Sequence, residues 1–259
     1  MKVLVNILAA IVLIVTIVAG KMYWNHQTSA EASNTAAKES SSTNSASKAA
    51  SGNWEDYADN LPKSVKAKLK EAAASGKPMK LLIVGSQATS TDSKGWPAML
   101  KETLNNTYGS LMDVNVLEYK DTTTLDFVRN QDYKDIVKEK PDVLLFEPFL
   151  LNDNGVVGIT NTLDNLQVIM SHVTEADKDL VTILQPSQPI YNASNYPKEA
   201  EALGDFAKEN GYEYVNHWSA WPDYKSDKIL DYLVEKQRIP TAKGNKAWAS
   251  YLEEYFTAS

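Results

Sequence analysis

The stretch that decides the fold is Met79–Gly85, which reads MKLLIVG. It is a short apolar run that stops at a glycine, as is typical of a strand buried on both faces. Four comparable runs follow: VNVLEY (114–119), PDVLLFEPF (141–149), LVTILQP (180–186) and YEYVNHW (212–218). Segments with helical spacing separate them, and this alternation indicates a parallel sheet covered by helices. We therefore predict an α/β three-layer sandwich with a central, mostly parallel five-stranded sheet.

The predicted helices lie before, between and after these strands. They cover residues 62–74, 96–108, 124–131, 159–172, 197–209 and 243–256. Ligands of open α/β sheets bind beyond the carboxyl ends of the strands. The loops to consider are therefore 85–90, 147–155, 185–195 and 216–223. All four are rich in Asn, Gln, Ser, Trp and Tyr, which suit the hydroxyls and ring faces of a carbohydrate but also form ordinary turns.

The N-terminal region predicts a membrane tether. Residues 3–20 form an apolar run between Lys2 and Lys21, and at about 1.5 Å per helical residue it nearly spans a ~30 Å hydrocarbon core. We predict an anchor over 1–24, with a cleaved signal peptide and a secreted product as the alternative because small residues end the run. Residues 25–52 form a Ser/Ala-rich linker that is too polar to fold. The domain at 53–259 is then expected outside the cytoplasm, on a single-pass membrane protein.

Composition removes several classes of function. The chain has 259 residues and a net charge of −7, with no cluster of Lys and Arg of the kind that nucleic-acid binding requires. It has no cysteine, which excludes disulfides, thiol catalysis and a lipid anchor on cysteine, and favours a bacterial surface over a eukaryotic secretory pathway. The three histidines have no acidic partner at metal-ligand spacing, and no glycine-rich phosphate loop is present. We predict no metal and no cofactor.

Four motifs occur in a characteristic order. They are IVGSQATS (83–90), GWP (95–97), LLND (150–153) and KQRIPTAKG (236–244). Over about residues 79–256 they resemble the turn, helix-entry and loop motifs of the SGNH/GDSL hydrolase family, in particular its surface-anchored bacterial members. The resemblance implies a flavodoxin-like arrangement of the sheet. It also implies hydrolysis of acyl esters by a serine, a histidine base and an asparagine that stabilises the oxyanion.

The catalytic positions depart from that family pattern. The resemblance places Gln87 where the nucleophilic serine belongs, Ser86 at the aspartate position and Ile239 where the catalytic histidine belongs. Other positions of the pattern also differ: Lys120, Leu150 and Lys236. Only Asn152 is in place. A serine hydroxyl needs a nearby base to lose its proton, so these departures leave activity open.

A shift of the motif by one residue would restore a nucleophile. Ser86 would then attack the ester, with His217 as its base and Asp223 nearby. The alternative is that Ser86 is a turn residue and that His217 fills an aromatic-rich loop. Asn152 likewise either donates to a ligand oxygen or forms a tight turn. The residues predicted to bind a ligand are Gln87, Asn152, Asp153, Asn154, Gln185 and Trp218.

Three functional hypotheses remain at this point. The first is an SGNH-type hydrolase or acyltransferase that acts on acyl esters of exported or cell-wall polysaccharide. The second is a catalytically inactive descendant that binds glycan and takes part in exopolysaccharide assembly or attachment. The third is a scaffold for other surface proteins, with no role for the cleft.

Overall fold

The computed structural model describes residues 54–234 and 238–258. The predicted anchor, the predicted linker and Lys236 lie outside the described residues. Within the described ranges, no helix combines the length and the apolar character needed to cross a bilayer. The strands are β1 Met79–Gly85, β2 Met112–Glu118, β3 Val143–Phe146, β4 Val181–Leu184 and β5 Glu213–Tyr214. All neighbouring strands are parallel, in the order β2-β1-β3-β4-β5, so the predicted five-stranded parallel sheet is confirmed.

Helices cover both faces of this sheet. Their bounds are α1 Trp54–Tyr57, α2 Lys63–Ser75, α3 Trp96–Tyr108, α4 Thr124–Asn130, α5 Tyr133–Glu139, α6 Leu150–Asp153, α7 Ile159–Ala176, α8 Tyr196–Asn210 and α9 Ala242–Phe256. Along β1, Leu81 and Ile83 pack in the core with α2, α3 and α9, while Leu82 and Val84 pack in the core with α4, α5, α7 and α8. The three-layer prediction is therefore correct, and the period-2 alternation of a strand explains why one apolar run supplies both cores.

Strands β3, β4 and β5 are shorter than predicted, and the reason is clear for β3 and β5. The chain leaves β3 after Phe146 because Pro148 lacks an N–H for the ladder and Phe149 adopts a left-handed conformation (φ 59°) that starts the one-turn helix α6. The chain leaves β5 after two residues. There the Asn216 side chain accepts a hydrogen bond from the Trp218 N–H and begins a 3₁₀ turn, His217–Ala220.

The strand order positions the candidate site. The chain moves from β1 outward to β2 and then crosses back to β3 on the other side of β1, so the topological switch point lies between β1 and β3. In open α/β sheets the ligand crevice lies at this point, beyond the carboxyl ends of the strands. The loop after β1 carries Gln87, and the loop after β3 leads to Asn152.

Candidate ligand-binding cleft

Two side-chain amides meet at the switch point. Gln87 Nε2 donates to Asn152 Oδ1 at 2.8 Å, and Asn152 Nδ2 donates back to Gln87 Oε1 at 3.2 Å. Asn152 Nδ2 also donates to the Thr122 carbonyl at 2.9 Å. An amide nitrogen has two hydrogens, and these two bonds use both. In this arrangement Asn152 therefore has no N–H left for an incoming oxyanion.

Arg238 joins the amide pair from the segment before α9. Its Nη2 donates to Asn152 Oδ1 at 3.0 Å and lies 3.5 Å from Asp121 Oδ1. The Asp121 backbone N–H in turn donates to Gln87 Oε1 at 3.1 Å. The side chains of Arg238 and Asp121 are 50% and 80% exposed, so their ion pair is weak and a ligand can displace it. We name these five residues the amide cluster: Gln87, Asp121, Thr122, Asn152 and Arg238.

Arg238, Asp121 and Thr122 were not predicted as site residues. The only sequence signal for Arg238 is its place directly before Ile239, the position that the family resemblance gives to the catalytic histidine. Ile239 has an aliphatic side chain, 38% exposed, that neither accepts nor donates a proton. The position of the family's base is therefore chemically inert, and the cation beside it takes part in the cleft.

Ser86 is a buried turn residue. Its backbone N–H donates to Glu147 Oε2 at 2.7 Å, its Oγ accepts from the Ala88 N–H at 3.2 Å, and the residue is 2% exposed. The Ser86 side chain therefore stabilises the turn after β1 from inside the domain and is not exposed in the cleft.

Glu147 anchors the floor of the cleft. Its carboxyl is fully buried and accepts hydrogen bonds from the Ser86 N–H, from Thr89 Oγ1 at 3.2 Å and from Ser187 Oγ. Burial raises the pKa of Glu147, and these hydrogen bonds oppose that shift. A Cβ at Gly85 would lie 2.7 Å from Glu147 Oε2, so the close approach of the turn requires glycine. The carboxyl thus ties together the ends of β1, β3 and β4.

The His217 side chain is buried in the core, and both of its ring nitrogens are hydrogen-bonded. Its Nε2 donates to the Pro186 carbonyl at 3.0 Å, and its Nδ1 accepts from Trp221 Nε1 at 2.9 Å. The ring is fully buried and stacks on Trp248 with the ring centroids 4.0 Å apart. Burial lowers the pKa of His217 to about 3. Neither nitrogen is free to take a proton from a hydroxyl.

Ser86, His217 and Asp223 are each hydrogen-bonded to other groups and not to one another, so the predicted triad does not form in this structure. Asp223 is exposed, and its Oδ1 accepts from the Lys225 N–H at 2.9 Å in a local turn. The other histidine within the described ranges, His172, is exposed and stacks on Tyr133 with the ring centroids 4.3 Å apart. Among the described residues, no histidine is therefore placed to act on a hydroxyl of the cleft.

Two of the predicted binding residues prove to be internal supports. Asp153 is buried and accepts hydrogen bonds from the Thr124 N–H at 2.9 Å and from Thr162 Oγ1 at 2.7 Å. These bonds connect α6 to α4 and α7. Burial raises the pKa of the Asp153 carboxyl. Gln185 is buried, and its Oε1 accepts from Trp248 Nε1 at 3.0 Å. Neither side chain reaches a ligand.

The other two predicted binders lie nearer the surface. Asn154 is half-buried at the end of α6, where its N–H donates to the Leu150 carbonyl at 2.9 Å. Trp218 is half-buried, donates from Nε1 to the Ser187 carbonyl at 2.8 Å and packs against Tyr196. Part of the Trp218 ring therefore remains at the surface. No group of three or more histidine or carboxylate side chains in the described part of the chain is arranged to hold a metal ion.

Comparisons with known proteins identify the fold. No protein-family model matches the chain, and no curated protein matches it in sequence. Among solved structures, a lipolytic protein of the G-D-S-L family from Desulfitobacterium hafniense matches with a TM-score of 0.56 and 18% identity, over 68% of this chain and 99% of that one. A carbohydrate esterase of family 3 from Talaromyces cellulolyticus matches with a TM-score of 0.58 and 13% identity, over 68% and 95% of the two chains.

An acetylxylan esterase from Geobacillus stearothermophilus is similar to the same degree. Its TM-score is 0.58 at 15% identity, over 70% of this chain and 94% of that one. The chain therefore has the SGNH/GDSL hydrolase fold, as the order of its motifs predicted.

Proposed function

We propose that this chain is a cell-surface protein of the SGNH hydrolase fold that binds exported or cell-wall polysaccharide in the cleft and does not cleave acyl esters. The observation that carries the proposal is the amide cluster. An amide, Gln87, stands at the position of the family's nucleophile and is hydrogen-bonded to Asn152, which Arg238 also contacts. Ester attack needs a hydroxyl or thiol with a base, and an amide supplies neither.

The chemistry of the cleft suits sugar hydroxyls. Amide and guanidinium groups offer donors and acceptors in fixed directions, and their present partners are one another, so a ligand hydroxyl can replace each bond it breaks. A cavity of about 410 Å³ is lined in part by Thr123, which directly follows Thr122 of the amide cluster. Its lining combines short apolar and polar side chains: Thr123, Leu125, Asp126, Val156, Val157, Asn161 and Asn165. Two of the similar structures are named as esterases of carbohydrates, which supports a glycan as the ligand.

The proposed location follows from the N-terminal sequence. An apolar segment at 3–20 and a polar linker would hold the domain outside the cytoplasm, within reach of a surface polymer. Assembly or attachment of exopolysaccharide is the role that fits a glycan-binding domain so placed.

The absence of ester cleavage is the first test. Purified full-length chain is expected to release no product above the buffer rate from p-nitrophenyl acetate or acetylated xylan, because the described residues place no hydroxyl–base pair in the cleft. A Ser86→Ala variant should give the same baseline. Turnover that Ser86→Ala abolishes would reject the proposal in favour of a hydrolase.

The second test is binding at the amide cluster. Bacterial surface polysaccharides would be titrated calorimetrically into the full-length chain. Arg238→Gln is expected to weaken the affinity at least about tenfold, since a hydrogen bond from a charged donor is worth roughly 1.5–3 kcal/mol. Arg238 is half-exposed, so the fold should survive. The control is Gln167→Ala, which removes an exposed amide on α7 and should bind like wild type. Equal affinities for Arg238→Gln and Gln167→Ala would count against binding in the cleft.

A further inference from the structure

A second groove lies away from the amide cluster, between α9 and the 3₁₀ turn His217–Ala220. It has a volume of about 540 Å³. Its lining consists almost entirely of aromatic and polar side chains: Asn60, Ser219, Ala220, Ser250, Tyr251, Glu254 and Tyr255. We name this feature the tyrosine groove. No residue of the amide cluster lines it.

Helix geometry explains why these side chains form one surface. Ser250 and Glu254 are four residues apart on α9, and so are Tyr251 and Tyr255, so each pair lies on the same side of the helix. Asn60 Nδ2 donates to the Glu254 carbonyl at 3.0 Å, which holds the segment before α2 against this helix. The groove therefore has walls from three separate parts of the chain.

Most polar side-chain groups of the groove make no hydrogen bond within the described part of the chain. Among the described residues, none of the hydroxyls of Ser219, Ser250, Tyr251 and Tyr255 has a hydrogen-bond partner, and neither has the Glu254 carboxylate. The amide of Asn60 uses only its nitrogen. A hydroxyl both donates and accepts, while a carboxylate and an amide oxygen only accept. The groove thus offers donors and acceptors together, with a single formal charge.

The combination of tyrosine rings and polar groups in the groove favours a carbohydrate ligand. Both tyrosines are half-buried and line the groove, so each contributes ring surface to it. Flat aromatic surface beside unpaired hydroxyl and amide groups matches a pyranose ring, which has apolar C–H faces and a rim of hydroxyls. A peptide partner would instead need an apolar pocket or an unpaired strand edge, and neither forms this lining.

We infer that the tyrosine groove is a second carbohydrate-binding site, which takes a neutral polysaccharide independently of the cleft. It lies close to the end of the domain that joins the linker, since Asn60 lies six residues after the first described residue, Trp54. Two separate glycan sites on one domain would raise the overall affinity for a polymer, because the second contact becomes intramolecular.

The test is titration of the full-length chain with three neutral hexasaccharides: cellohexaose, xylohexaose and the β-1,4 hexamer of N-acetylglucosamine. At least one is expected to bind, and Tyr251→Ala and Tyr255→Ala should each weaken that binding about tenfold. Ser250→Arg, at an exposed position, fills the groove without removing a buried group and should abolish it. Tyr57→Ala, an exposed tyrosine outside the groove, is the matched control and should bind like wild type.

The outcomes separate this inference from the proposed function. Loss of binding in the groove variants with Arg238→Gln unaffected would support the groove as an independent site, and the cleft would then be judged by its own titration with surface polysaccharides. Loss in Arg238→Gln alone, with the groove variants at wild-type affinity, would overturn the inference and leave the proposed function intact. Failure of all three hexasaccharides to bind would also overturn the inference.

Discussion

Acidification is expected to cost the folded domain about 4–5 kcal/mol at His217 by the time the pH has fallen to 3. Burial lowers the pKa of this imidazole from 6.5 to about 3, so the folded state holds it neutral while the unfolded chain protonates it. The contribution is fully present above pH 6.5 and is lost as the pH falls towards 3. Each pKa unit corresponds to about 1.4 kcal/mol, which sets the magnitude.

Urea unfolding at pH 7 and at pH 4.5 would measure this effect. Glu147 and Asp153 act in the opposite direction: burial raises the pKa of each, so the stability they contribute is greatest at low pH and is lost as the pH rises. The comparison with a His217→Gln variant isolates the histidine, because the variant should be less stable at pH 7 and depend less on acid. His172→Gln removes an exposed histidine and should keep the wild-type slope. Equal slopes for wild type and His217→Gln would contradict the assignment.

Replacement of Trp248 by leucine is expected to lower the free energy of unfolding by about 3–5 kcal/mol. The side chain is fully buried and lies in a stack, with the Trp96 centroid at 4.8 Å and the His217 centroid at 4.0 Å. The substitution leaves a cavity and removes the indole N–H from Gln185 Oε1. Gln185 Nε2 already has no partner among the described residues, so the whole buried amide would be left unpaired.

Thermal and urea unfolding would check this prediction. Trp54→Leu is the matched control, because Trp54 is half-exposed at the edge of the same core, and the same substitution there should cost about 1 kcal/mol or less. If both substitutions cost the same, the stack does not stabilise the domain in the way its geometry indicates.

Both predictions concern residues that support the cleft from below. Ser86, Glu147, Ser187, Gln185 and His217 are polar residues at or near strand ends, and all of them are buried. Their hydrogen bonds stabilise the loops that present Gln87 and Asn152 and do not pair a hydroxyl with a histidine base, which is why we propose binding in place of catalysis.

The layers, the parallel sheet and most helix bounds could be predicted from the amino-acid pattern. Those features depend on local periodicity: Leu81 to Val84 alternate between two cores, and the predicted helix at 96–108 matches α3. The pattern missed the short helices α1, α5 and α6, because one or two turns of helix have too few residues to show a clear period. It also pointed to Asn152, which follows a strand end and is hydrogen-bonded to Gln87 in the structure.

The contacts of the polar side chains depend on the tertiary structure and could not be predicted from local sequence. Gln87 and Asn152 are 65 residues apart, and Arg238 is a further 86 beyond Asn152; strand order and the packing of the α9 entry bring them within hydrogen-bond distance. His217 is a second example. Its neighbours in the sequence, Asn216 and Trp218, do not show whether the imidazole faces solvent or the core. Burial against Trp248 lowers its pKa, and local sequence spacing does not predict that contact.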